Sequence, residues 1–269
     1  AKKSIVPDDK ILSLRDLIRT RSYFMNKNYD LKRKMLTSLY SVFAEYKVVF
    51  KNPFSITSLK ILSLFPSSHS LRSVSSDGLI KIFRSIKGNN NVAFKASAII
   101  ELAKNSITPK EGILGKELSL KNLINTYIFM DKQLKDIDNQ IDSLLNDFET
   151  TCFETQTNDE LTPISAVLTT PGVGIKTIAT IIGSCGDLSM FKTSTSFIGY
   201  IGLYPQQYQS GKTNYSFSHK KSIPLVKKQL FCAAVSCLKH NKELRQLYLN
   251  LVSKGVCKKL ALCKISHKL

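Results

Sequence analysis

Between residues 118 and 149 apolar side chains recur in unbroken steps of three and four: Leu120, Leu123, Tyr127, Met130, Leu134, Ile137, Ile141, Leu144 and Phe148. No glycine or proline interrupts the run. This spacing lines up every apolar group on one stripe of a helix, and a strand of period two would scatter them over both faces. A helix of about 30 residues is about 45 Å long. Such a helix either packs along its own domain or projects as a coiled-coil arm, and the length favours the arm. Its partner is then the helix read at residues 8–48, a second copy of the chain, or both, making a homo-oligomer through the coiled coil. The e and g positions are mostly Ser, Thr, Gln and Asp, which fix neither partner nor orientation.

The rest of the chain reads as further helices. Residues 8–48 carry Leu14, Leu17, Ile18, Phe24, Leu31, Met35, Leu39 and Phe43 at helical spacing. Asp8 and Asp9 suit that helix's N-terminal end better than a metal site. Residues 52–110 read as short helices broken at "FPSSHS" and "KGNNN", with no legible function. "LTPISAVLTTPGVGIKTIATIIGSCGDL" reads as helix, tight turn at Pro171-Gly172-Val173-Gly174, and helix. Alternation in "YQSGKTNYSFS" predicts a short β-hairpin turning at Gly211, and "IPLVKKQLFCAAVSCLKH" an amphipathic helix. The expected fold class is mainly α: a helical linker region with a long coiled-coil helix, then a compact helical C-terminal domain containing a helix-hairpin-helix and a short β-hairpin. The expected divisions are a basic helical segment at 1–50, short helices at 51–115, the coiled coil at 116–150 and the C-terminal domain at 160–269.

Charge narrows the partner. The 269 residues hold 39 Lys and Arg against 20 Asp and Glu, a net +19. Residues 161–269 hold 15 basic residues and two acids, Asp187 and Glu243, whereas residues 101–160 hold six against 12. A surface this one-sided repels itself unless it meets a polyanion, and nucleic acid is the default. A membrane is not expected: no apolar stretch is long enough to span one, no signal peptide opens the chain, and there is no Trp to anchor a basic helix at an interface. A cytoplasmic protein follows. The six cysteines form no CxxC pair and read as small buried hydrophobes.

Two stretches point to chemistry. The glycine turn would aim backbone N–H groups at one spot, at the start of a helix whose dipole attracts phosphate. Gly172, Gly174, Lys176 and Thr177 are therefore candidate contacts to a DNA backbone, gripping phosphates without reading bases. The second stretch, "QSGKT" at residues 209–213, resembles the tail of a nucleotide-binding loop, but the glycine required five residues before the Gly-Lys pair is Gln206. A serine in a cationic loop remains, with Lys212, His219, Lys220 and Lys221 nearby and Lys227 and Lys228 on the following helix. A serine hydroxyl needs activation by a base or metal before it attacks phosphorus. No carboxylate lies between Asp187 and Glu243 to provide it.

The series "TTPGVGIKTIATIIGSCGDLSMFKTSTSFIGYIGLYPQQYQSGK…HKK…LVKKQLFCAA" resembles the C-terminal domain of the insertion sequence 110 family of transposases. The likeness is close over about residues 161–269, and "LRDLIRTRSYF" and the heptad run resemble the family's middle helices and coiled coil. The resemblance implies a DNA transposase or recombinase in which Ser210 is the nucleophile, Gly211 the turn and Lys212 a phosphate contact. It implies attack on a DNA phosphate to give a 5′-phosphoserine, with a bridge RNA as guide. It also implies Mg²⁺ held by four acids of an N-terminal RuvC-like domain. The chain begins downstream of where those acids lie, and Asp8 and Asp9 do not fit their position. The chain is thus expected to be a fragment that binds no Mg²⁺ and is inactive alone. Ser222-Ile223 also stand where the family favours Gly-Asn. The alternatives are a non-enzymatic helix-hairpin-helix nucleic-acid module and an interaction protein built on the coiled coil. The latter leaves the basic surface without a purpose.

Overall fold

The computed structural model describes residues 8–86, 91–108, 110–155, 170–210, 213–218 and 222–269. Burial and side chains are described for these residues apart from 147–155, 205–210 and 213–218. Two long helices set the framework: α1 at Asp9–Val42 and α7 at Ile113–Thr155. Between them lie α2 (Tyr46–Val49), α3 (Ile56–Leu64), α4 (Ser68–Arg72), α5 (Ser76–Arg84) and α6 (Val92–Asn105). After α7 come α8 (Ile175–Cys185), a 3₁₀ turn at Leu188–Met190, and α9 (Ser194–Ile201). Strands β1 (Pro205–Ser210) and β2 (Thr213–Ser218) follow, then α10 (Pro224–His240), α11 (Lys242–Ser253) and α12 (Lys258–Ser266).

The chain divides into two compact units, residues 23–135 and residues 1–22 with 136–269. The divisions fall inside α1 and α7, so neither long helix is an element of one unit alone.

The 23–135 unit folds around the end of α1 and the start of α7. Met35, Leu39, Phe43, Tyr46, Phe83, Ile99, Leu120 and Ile124 share one core. Its short helices begin where serines can cap them. Ser55, Ser67 and Ser75 each accept a backbone N–H from the first turn of the next helix, and Ser67 and Ser70 form a reciprocal capping box. "FPSSHS" is thus a helix start as well as a break. The buried Tyr46 ring stacks on Phe50 with centroids 5.0 Å apart, and its hydroxyl lies 2.9 Å from the Ser58 hydroxyl. Arg72 closes the end of α6 by donating to the carbonyls of Ala103 and Ser106 at 2.7 and 2.6 Å.

In the second unit α8 is the central element, which is why it is apolar almost all round: Ile178, Ala179, Ile181, Ile182 and Cys185 are buried. Ile181 and Cys185 share a core with Ile201, Val226 and Leu230, and Phe191, Phe197, Leu203 and Ile223 pack against it. Gly183 allows α1 to approach: a Cβ there would lie 3.3 Å from the backbone of Arg15, whose side chain donates to the Gly183 carbonyl at 2.9 Å.

Two expectations need correction. The class is α. The anticipated domain contained a short β-hairpin; among the described residues β1 and β2 pair only with each other, a two-stranded ribbon rather than a sheet layer, so helices set the class. Two strands alone fall short of the three or more that make a sheet stable in its own right. The buried stripe of α7 also differs from the heptad reading. Leu120, Ile124 and Tyr127, then Ile137, Ile141 and Leu145, are buried, whereas Leu123 and Leu144 are half-exposed. A 3.6-residue helix drifts off a strict seven-residue repeat, so the stripe moves by one residue. Leu120, Ile124 and Tyr127 belong to the core of the 23–135 unit, which gives this part of the stripe a partner within the chain.

Candidate nucleic-acid interface

The glycine turn leads into α8 as the sequence suggests, although the helix expected before it, at 161–169, lies outside the described residues. The Val173 N–H donates to the Thr170 carbonyl at 3.1 Å, and the Thr177 N–H to the Gly174 carbonyl at 2.8 Å. The two glycines do different work. Gly172 has φ +97°, and a Cβ there would sit 2.7 Å from the Cα and N of Cys237 in α10. Gly174, the N-cap of α8, has extended backbone (φ −98°, ψ 161°), and a Cβ there would meet nothing within 4 Å. Gly172 is thus held by packing, while Gly174 leaves open space at the positive end of a helix.

Lys176 does not stand alone. Its ammonium donates to the Asp138 carboxylate, which also accepts from Arg21 at 2.5 Å. Burial pushes the Asp138 carboxyl up, but hydrogen bonds from Arg21 and Lys176 outweigh it and hold the group below its ordinary value. One carboxylate therefore joins α1, α7 and the first turn of α8. Thr177 is buried, 4% exposed, and its hydroxyl accepts from Gln229 of α10 at 3.3 Å. Beside the turn a depression opens, lined by Gly174, Ile175, Lys176, Gln229, Cys232 and Ser236.

Helix α10 opens with Pro224 in its first turn, where the missing N–H costs nothing. It buries Val226, Leu230, Ala233, Ala234 and Cys237, which leaves Lys228 exposed and Lys227 half-buried. Ser210 closes the ribbon: it is the last residue of β1 and its Cα pairs with that of Thr213. Gly211, Lys212, His219, Lys220 and Lys221 lie outside the described residues.

Sequence reasoning missed Asp138, Arg21 and Gln229. Asp138 stands 38 positions before Lys176 in an acid-rich polar face, where no local pattern marks it off from its neighbours.

No group of three or more His, Cys, Asp or Glu that could hold a metal ion occurs among the described residues. Asp187 accepts from the Ser189 N–H at 2.9 Å and hydroxyl at 2.7 Å, capping the 3₁₀ turn, and these two bonds lower its carboxyl's pKa. The described residues do not fit a Mg²⁺ site of the kind the resemblance implied.

A helical, strongly cationic domain organised on a glycine turn is the class these features define. Residues 164–249 match the model described as "Transposase IS116/IS110/IS902 family". Over this segment the chain is similar to that family of transposases. It is also 25% identical over 168 residues to a protein of Streptomyces coelicolor described as "Insertion element IS110 uncharacterized 43.6 kDa protein". That alignment covers 60% of this chain and 36% of the relative. Among the described residues no helix is long and apolar enough to cross a membrane.

Proposed function

We propose that this chain is the DNA-handling part of a transposase, and that Ser210 forms the covalent link to DNA. The observation that carries the reading is the extent of the family match. Residues 164–249 include the glycine turn, α8, the ribbon with Ser210 at its tip, and Lys227 and Lys228. The excess of 15 basic residues over two acids in 161–269 supports a polyanionic substrate.

In the proposed step the Ser210 hydroxyl oxygen attacks a DNA phosphorus. The new Ser–O–P bond forms as the P–O3′ bond breaks. The serine proton passes to a base and a proton reaches the departing 3′ oxygen, so the 5′ phosphate stays on the protein. Lys212, with Lys220 and Lys221, would neutralise charge on the phosphoryl oxygens, and His219 would contact phosphate. Backbone N–H groups around Gly174 would hold a neighbouring phosphate. The Mg²⁺ and the bridge RNA expected from the family belong to this proposal too, with the metal's carboxylates supplied from outside the described residues.

The test is adduct trapping on DNA carrying a labelled 5′ phosphate, with this chain inside a full-length relative, guide RNA and Mg²⁺ present. Ser210→Ala should abolish the adduct while changing DNA affinity less than about twofold, since one hydroxyl adds little to a grip made by many cations. Thr213→Ala and Ser216→Ala should retain it. An adduct that survives Ser210→Ala, or that maps to Tyr208 or Tyr215, would overturn the assignment. DNA binding with no adduct in any variant would favour a non-enzymatic binding module.

A further inference from the structure

The 23–135 unit carries a groove that neither the family match nor the serine chemistry uses. It runs between α1 and α7, with an open volume of about 960 Å³. Tyr23, Lys27 and Lys34 line one bank, and Ser119, Thr126 and Met130 the other. Positions 23, 27 and 34 are spaced by four and seven, so α1 presents them on one face. Lys27 and Lys34 are two turns apart, about 10.5 Å along the axis. Both are exposed, and neither has a carboxylate partner among the described residues. The acid in the groove, Asp30, is paired with Arg33 on the same helix. Tyr23 is 58% exposed, and the Lys27 ammonium lies 5.6 Å from its ring centroid.

We infer that this groove binds a single-stranded stretch of nucleic acid. Lys27 and Lys34 would take phosphates, Tyr23 would stack on a base, and the Ser119 and Thr126 hydroxyls would bond sugar or base edges. Cations flanking an exposed aromatic ring are how proteins hold single strands without sequence preference. A duplex offers the same phosphates but keeps its bases stacked and closed to Tyr23. An acidic peptide would use the lysines but gain little from the ring and the hydroxyls. The inference is independent of Ser210 and the glycine turn, which lie in the other unit.

The experiment uses the whole chain and fluorescence anisotropy with oligo(U) and oligo(dT) of about twelve nucleotides, a duplex DNA of equal length, and a salt series. Wild type should bind the single strands, and the two oligomers report whether RNA or DNA is preferred. Lys27→Gln with Lys34→Gln should weaken single-strand binding at least tenfold at low salt. It should also flatten the log–log salt slope by about 1.4, since each phosphate contact to a single strand contributes about 0.7. Tyr23→Leu should weaken binding about five- to a hundredfold with the slope unchanged. Duplex affinity should stay the same in both variants. Because the changed side chains are exposed, circular dichroism should show an intact fold. Single-strand affinity and slope unaltered by the lysine changes, or no single-strand binding by wild type, would overturn the inference. Either result leaves the serine reading standing, and a missing Ser210 adduct leaves this one standing.

Discussion

The Cβ that Gly172 lacks would sit 2.7 Å from the Cα of Cys237, so the turn before α8 and the middle of α10 touch backbone to backbone. Gly172→Ala must both move α10 and hold a side chain at φ +97°. It should cost about 2–4 kcal/mol in urea unfolding. Gly174→Ala meets open space at an ordinary φ and should cost less than about 1 kcal/mol. DNA affinity can then be compared on a folded protein: Gly174→Ala should weaken binding to all sequences alike, as expected of a phosphate contact. Equal stability of the two variants would refute the packing account of Gly172.

Asp138 should make stability depend on pH. Its folded pKa is depressed, so its contribution is present above the unfolded carboxylate value and is lost as pH falls through the folded one. At neutral pH Asp138→Asn should destabilise the protein by about 1–2 kcal/mol, by weakening charge-assisted bonds from Arg21 and Lys176. Thermal melts of wild type and variant should converge as pH drops below the ordinary carboxylate range. A constant gap down to the lowest pH would mean the carboxylate's charge is not what matters.

The two readings of α7 differ at neighbouring positions. Ile124 is fully buried and Leu123 half-exposed. Ile124→Ala should cost about 2–4 kcal/mol, and Leu123→Ala clearly less, measured by urea denaturation. The reverse order would restore the strict heptad seam and with it the case for an arm that pairs outside the chain.

The features legible in the amino-acid order alone are local ones. Periodicity marked α1 and α7 as long helices, because an apolar stripe of that length has only one backbone that can align it. Pro171-Gly172-Val173-Gly174 marked the turn before α8, and composition marked the cationic character of residues 161–269. The identity of the buried stripe was legible only to within a residue, since a 3-4 count does not register the drift of a 3.6-residue helix. The tertiary structure decided which partner each residue has. It divided Gly172 from Gly174, turned Thr177 inward to Gln229, and set Asp138 between Arg21 and Lys176. These are contacts between positions tens to more than a hundred residues apart, and their energies depend on where helices meet in space. Neighbouring residues carry no trace of that.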